Sequence, residues 1–147
     1  MTAPVQRFLG VDVGGRRTGL AAGDTLMRMA MPVGVLHVPK GPALMDALVR
    51  AVREHAPDAI VVGLPLNMDG TEGGSAKEAR AFAAELQTRT GLPVHLQDER
   101  LTTFDADQRM ARSGLTHGQK KELRDALAAA ALLQDFLNRD GPIYRTH

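Results

Sequence analysis

The chain has 147 residues, no cysteine and a formal net charge of +1, so it has room for one domain with a buried core but not for two complete α/β domains. The missing cysteine excludes disulfides, zinc-thiolate sites and thiol nucleophiles, and the near-neutral charge does not by itself announce a nucleic-acid partner. Apolar residues at 44% and charged residues at 24% set aside a disordered tail, and the sequence has neither a signal-like start nor an apolar run long enough to cross a membrane, so the expected location is the cytoplasm.

Phe8 to Val13 (FLGVDV) is a short apolar run closed by Gly14-Gly15, which reads as a buried strand ending in a sharp turn. Thr18 to Ala22 (TGLAA) resumes at once and predicts an antiparallel partner. Arg28 to Val38 predicts a third strand, closed by Pro39-Lys40-Gly41-Pro42. From Ala43 the period changes: Leu44, Leu48, Ala51 and Val52 share one helical face behind Pro42, and this helix runs to about His55. Ala59 to Leu64 (AIVVGL) is the continuous apolar run of a parallel strand covered on both faces.

A loop rich in Asn, Asp and Gly spans Asn67 to Gly74. Ser75 and Glu78 then have the spacing of a capping box, and Ala79, Phe82, Ala83 and Leu86 form the apolar stripe of a helix ending before Gly91. The next strand, Val94 to Gln97, runs directly into Asp98-Glu99-Arg100. Beyond it the pattern predicts a helix from about Thr103 to Arg112. A longer helix follows, opened by Thr116 and Gln119 as a second capping box and carrying Leu123, Leu127 and an alanine-rich centre through Leu137. The order β-β-β-α-β-α-β-α-α, without repeat or linker composition, implies a single α/β domain over residues 1–147.

Asp12 is anomalous within an apolar strand, because an ionised carboxylate without a partner is too costly to bury. It either meets a cation or donor set, or caps the turn at Gly14-Gly15. Asp98 and Glu99 stand at the carboxyl end of the last strand, the edge of an open α/β sheet where ligand sites form. Asp125 heads a stripe of Ala128, Ala129, Leu132 and Phe136 that should face the sheet. Three acids arriving at one end of a sheet suit a hard divalent cation, although each alone also reads as a surface or capping carboxylate.

The turn Gly14-Gly15-Arg16-Arg17-Thr18-Gly19 offers amides and two arginines to an anion, yet it is not a Walker loop, since Leu20-Ala21 follow its last glycine. Its glycines equally permit a tight hairpin. Six basic residues against three acids between Arg100 and Arg124 tilt that stretch toward a polyanion or form a solvated helical surface. The five histidines show no metal spacing; His95 and His117 read as structural or surface residues, His117 with a second possibility of phosphate contact. Four Phe, one Tyr and no Trp argue against base stacking as the mode of single-strand recognition.

The segments LGVDVGGRRTGLA (9–21), VVGLPLNMDGTEG (61–73), DERLTT (98–103) and RDALAAAALLQDFL (124–137) together resemble the YqgF family of pre-16S ribosomal RNA nucleases, also described as Holliday-junction resolvase-like. The resemblance spans about Phe8 to Leu137. It implies an RNase H-like fold: an α/β domain with a five-stranded mixed sheet of order 3-2-1-4-5, the second strand antiparallel, and helices on both faces. It also implies that Asp12, Glu99 and Asp125 are the catalytic acids and hold Mg2+ or Mn2+, with Arg16, Arg17, Asn67 and Arg100 contacting nucleic acid. Gly15 and Arg16 depart from the usual Thr or Ser and Lys, and Gly63-Leu64-Pro65-Leu66-Asn67 has no acid, so Glu99 must supply that ligand from the next strand. Arg124 beside Asp125 is the cation expected to pair with it.

The function so implied is a metal-dependent endonuclease in 5′-end maturation of pre-16S rRNA, acting on precursor rRNA or ribosomal particles. Resolution of branched DNA is the enzymatic alternative and favours a homodimer over a monomer. A noncatalytic nucleic-acid-binding factor in ribosome assembly or transcription is the alternative of another class. The kinase and actin-like ATPases also follow a first-strand Asp with a glycine-rich hairpin, but they close two such domains on the nucleotide.

Overall fold

The computed structural model describes residues 4–100, 114 and 116–139. Five strands, β1 (Arg7–Val13), β2 (Thr18–Asp24), β3 (Met31–Leu36), β4 (Ala59–Leu64) and β5 (Val94–Asp98), form one sheet of order β3-β2-β1-β4-β5. β2 runs antiparallel to both its neighbours, and β1, β4 and β5 are parallel. This is the topology the resemblance implies. Among the described residues three helices accompany the sheet: α1 (Pro42–His55), α2 (Gly74–Thr90) and α3 (His117–Arg139). The helix predicted over 103–112 lies outside the described residues.

The alternation of β1 divides the core in two. Leu9 and Val11 join Leu20, Ile60 and Val62 under Leu44, Met45 and Leu48 of α1 and Leu86 of α2. Phe8 joins Ala21 and Val61 under Ala129, Ala130, Leu133, Phe136 and Leu137 of α3 on the opposite face. Every residue of β4 is buried, as its unbroken apolar run requires. Gly10 faces α3, where a Cβ would stand 2.9 Å from Leu133 Cβ, so its missing side chain lets the alanine-rich helix seat closely on the sheet.

Two boundaries differ from expectation. β3 begins at Met31 rather than Arg28 because Asp24 folds the chain into a turn: its Oδ1 accepts from the amides of Leu26 and Met27 at 2.9 and 2.7 Å, and Arg28 takes a φ of 55°. The Ser75/Glu78 capping box does not form. α2 begins at Gly74 with Gly73 as N-cap and no side-chain cap, which leaves Ser75 inside the first turn and Glu78 beside Lys40 at 3.7 Å. The box at Thr116 and Gln119 is present, with Thr116 N donating to Gln119 Oε1 at 3.0 Å and Gln119 N to Thr116 Oγ1 at 3.2 Å.

Candidate active site

The parallel strands deliver their carboxyl ends to one edge, and Asp12 lies there near the end of β1, opposite Gly19 of β2. The β1–β4 register pairs Val11 with Val62, so Gly63 is the next residue alongside Asp12. Glu99 follows β5 and is fixed by its amide to Leu64 O at 3.3 Å. Its side chain lies over Gly63: a Cβ there would collide with Glu99 Oε2. The glycine of the acid-free Gly63-Leu64-Pro65 motif is thus a window through which the carboxylate of the outer strand reaches across β4 toward Asp12.

A second glycine admits the third acid. α3 crosses β2 so closely at Gly19 that a Cβ would overlap the Asp125 carbonyl oxygen. Any larger residue at 19 would lift the helix and Asp125 with it. Burial, followed by the negative charges of Glu99 and Asp125, raises the Asp12 carboxyl from 3.8 to about 7. Burial and the neighbouring Asp98 also raise Glu99, while the Lys40 ammonium opposes them. Asp12, Glu99 and Asp125 therefore form one electrostatic cluster.

Arg17 is a cation beside Asp125, one that the sequence reading did not pair with it; Arg124, which it did, is exposed on α3. Arg17 Nε stands 2.7 Å from Asp125 Oδ2, a charge contact without the alignment of a hydrogen bond. Among the described residues no three Asp, Glu or His side chains stand ready-made around a metal ion. Even so, the chemistry of the site fits one: two further carboxylates, Glu99 and Asp125, act on the Asp12 carboxyl and help keep it from ionising, a repulsion that a hard divalent cation would relieve.

The remaining expected contacts divide. Arg16 is exposed on the hairpin turn, open to an anion. Arg100 is engaged with Asp98 through Nε at 2.9 Å and Nη2 at 2.7 Å, and its Nη1 donates to Met68 O at 3.1 Å, so it fastens the 67–74 loop to the end of β5. Asn67 organises that loop from within: its Nδ2 donates to Thr71 Oγ1 at 3.0 Å and its amide to Thr71 O at 2.9 Å. The side chain of His117 lies outside the described residues. Gly19, Gly63 and Lys40 are the site residues that sequence reading missed; the glycines were visible in the motifs, but only the packing shows what each admits.

The sequence pattern of the RuvX family, described as a Holliday junction resolvase, matches residues 6–139. A protein of Anaeromyxobacter sp. (strain Fw109-5) named as a pre-16S rRNA nuclease is 46% identical over 132 residues, covering 90% of this chain and 96% of its own. A Pseudomonas putida protein of the same name is 43% identical, covering 92% and 96%. Among solved structures, Thermus thermophilus RuvC in complex with a Holliday junction substrate superposes with a TM-score of 0.54 at 14% identity, covering 92% of this chain and 96% of that one. Fowlpox virus resolvase bound to Holliday junction DNA gives 0.58 at 10% identity, covering 90% and 97%. These two likenesses show a shared fold.

Proposed function

The chain belongs to the RuvX family of nucleases, and from that membership we propose that it hydrolyses phosphodiester bonds in the maturation of pre-16S rRNA, with Asp12, Glu99 and Asp125 as its catalytic acids. The observation that carries the reading is the state of Asp12, an enclosed carboxylate raised to about 7 with two further acids acting on it. A structural ion pair would hold such a group down; this cluster holds it up and calls for a cation.

Asp12, Glu99 and Asp125 are the residues that would hold Mg2+ or Mn2+. When bound, the cation supplies positive charge against the scissile phosphate and activates the attacking water. The chain's own part is placement. Gly63 lets Glu99 reach Asp12, Gly19 seats Asp125 against β2, and Arg17 balances Asp125 at the mouth of the hairpin. Arg16, exposed on that turn, is placed to meet a phosphate. Arg100 and Asn67 act on substrate through the 67–74 loop that they shape.

Work on ribosomal precursors would place the chain in the cytoplasm; no helix among the described residues is long and apolar enough to cross a membrane. The resolvase fold likeness favours one second reading, cleavage of a four-way DNA junction. Incubating the protein and Mn2+ with a pre-16S 5′ fragment, a generic single strand and a four-way junction separates the two. Preferred cutting of the rRNA fragment supports the first; symmetric cutting of the junction by a dimer replaces it with the second. Binding of these substrates without cleavage under either metal points instead to a noncatalytic factor.

A further inference from the structure

On the sheet face covered by α1 and α2 lies a cavity of about 380 Å3 that reaches Glu99 of the acid cluster. Met45 of α1, Phe82 of α2 and Pro65 form apolar walls, and the charged Lys40, Glu78, Glu85, Arg89 and Glu99 belong to the same lining. The volume lies within the range of about 300–1,000 Å3 typical of pockets that enclose small organic groups. Gly41 and Ser75, at the starts of α1 and α2, also line it, and neither helix start carries a side-chain cap.

A mostly apolar slot that carries the carboxylates of Glu78, Glu85 and Glu99 is unsuited to a phosphate at its depth and suits a flat, uncharged ring with a face to lay on Phe82. The attached phosphate would find Lys40 and the uncapped helix starts at the same cavity, where amide groups and the helix dipoles favour an anion. We propose that this cavity takes one unstacked nucleobase of the substrate strand, next to the phosphate that is cut. The assignment rests on the nuclease reading above. Scarcity of aromatics excludes a stacking platform along several bases, but one enclosed base needs one ring. A base in an intact duplex must first leave its stack, so the site favours a single-stranded or frayed cutting position.

The test uses the full chain and short single-stranded RNAs carrying 2-aminopurine stepped through the positions around the wild-type cut. With Asp12→Asn protein, fluorescence rises at one position flanking that cut, and the rise disappears when Ala79→Phe is added to fill the cavity from α2. Ser75→Trp, placed at the exposed start of α2, is a second filler that leaves the packed core alone. In the background retaining Asp12, each filler lowers cleavage of the single strand about tenfold, the scale of one lost base contact, with thermal stability unchanged. Bound RNA that brightens at no position, absence of binding, or fillers that cut at the wild-type rate overturns the base site while cleavage by wild type still upholds the nuclease. Failure of wild type to cut any strand overturns the nuclease reading and this assignment with it.

Discussion

Glu99 lies across Gly63, its carboxylate occupying the space that a side chain on β4 would fill. The acid that the neighbouring strand lacks is thereby brought from β5 to the flank of Asp12. Replacing Gly63 with Ala sets a methyl group against Glu99 Oε2 and forces the carboxylate aside. Displacements of about 1 Å at a reacting centre cost on the order of 100-fold in rate, so Gly63→Ala should lose between about 10- and 100-fold in cleavage while unfolding near the wild-type temperature. Steady-state cleavage with parallel calorimetric melting checks both halves.

The raised Asp12 makes stability depend on pH in a defined direction. Its carboxyl titrates near 3.8 when unperturbed and near 7 in the fold. The folded state therefore favours the proton: this contribution is full below about pH 4 and is lost as pH rises through 7. Glu99, shifted the same way, adds to the trend. Metal-free protein should be more stable at pH 5 than at pH 8, by about 3 kcal/mol from Asp12. Asp12→Asn should flatten that slope and raise stability at pH 8. Added Mg2+ or Mn2+ should flatten it in the wild type, because the cation binds the deprotonated acids. Denaturant melts across pH, with and without metal, provide the readout.

Arg17 and Asp125 form a charge pair whose side chains are 34% and 25% exposed, so the guanidinium is a weak, displaceable counter-ion. Removing it should leave the acid cluster more negative. Arg17→Ala is expected to bind Mn2+ about three- to tenfold more tightly while cutting more slowly, since the same charge serves a phosphate. Isothermal titration with Mn2+ in the absence of substrate separates the two effects; weaker Mn2+ binding would make Arg17 a positioning residue for Asp125 instead.

Leu133 is fully buried where α3 seats on Gly10. Truncation to Ala should cost about 2–5 kcal/mol, the range for a core leucine, and would loosen the helix that carries Asp125. Equilibrium unfolding measures the first effect; a fall in cleavage larger than the unfolded fraction explains would register the second.

Much of this was legible in the chain itself, for reasons that differ by element. β4 could be read because a strand buried on both faces has no polar position to blur it. α1 and the start of α3 could be read because Pro42 and the Thr116/Gln119 pair act locally. The β3 boundary escaped because Asp24 spends its carboxylate on a turn that alternation cannot register. Ser75 misled because two glycines before it let the helix start early. At the site, the motif resemblance drew attention to all three acids, and the structure couples them electrostatically. The partnerships are tertiary: Arg17 with Asp125, Arg100 with Asp98 and Glu99 over Gly63 join residues whose spacing in sequence says nothing of contact, apart from the near neighbours 98 and 100. The resemblance implies Arg100 and Asn67 as substrate contacts; the bonds they make within the protein shape the 67–74 loop, a role that residue type alone does not reveal.

The most direct test of the central claim is Mn2+-dependent cleavage of a pre-16S 5′ fragment by wild type and by Asp12→Asn, each first shown by melting to be folded. Loss of cutting in the variant by about 1,000-fold or more, the scale of removing an essential group, together with loss of Mn2+ binding, is the predicted result. Cleavage by Asp12→Asn at the wild-type rate with the same metal dependence would contradict it and remove Asp12 from the mechanism.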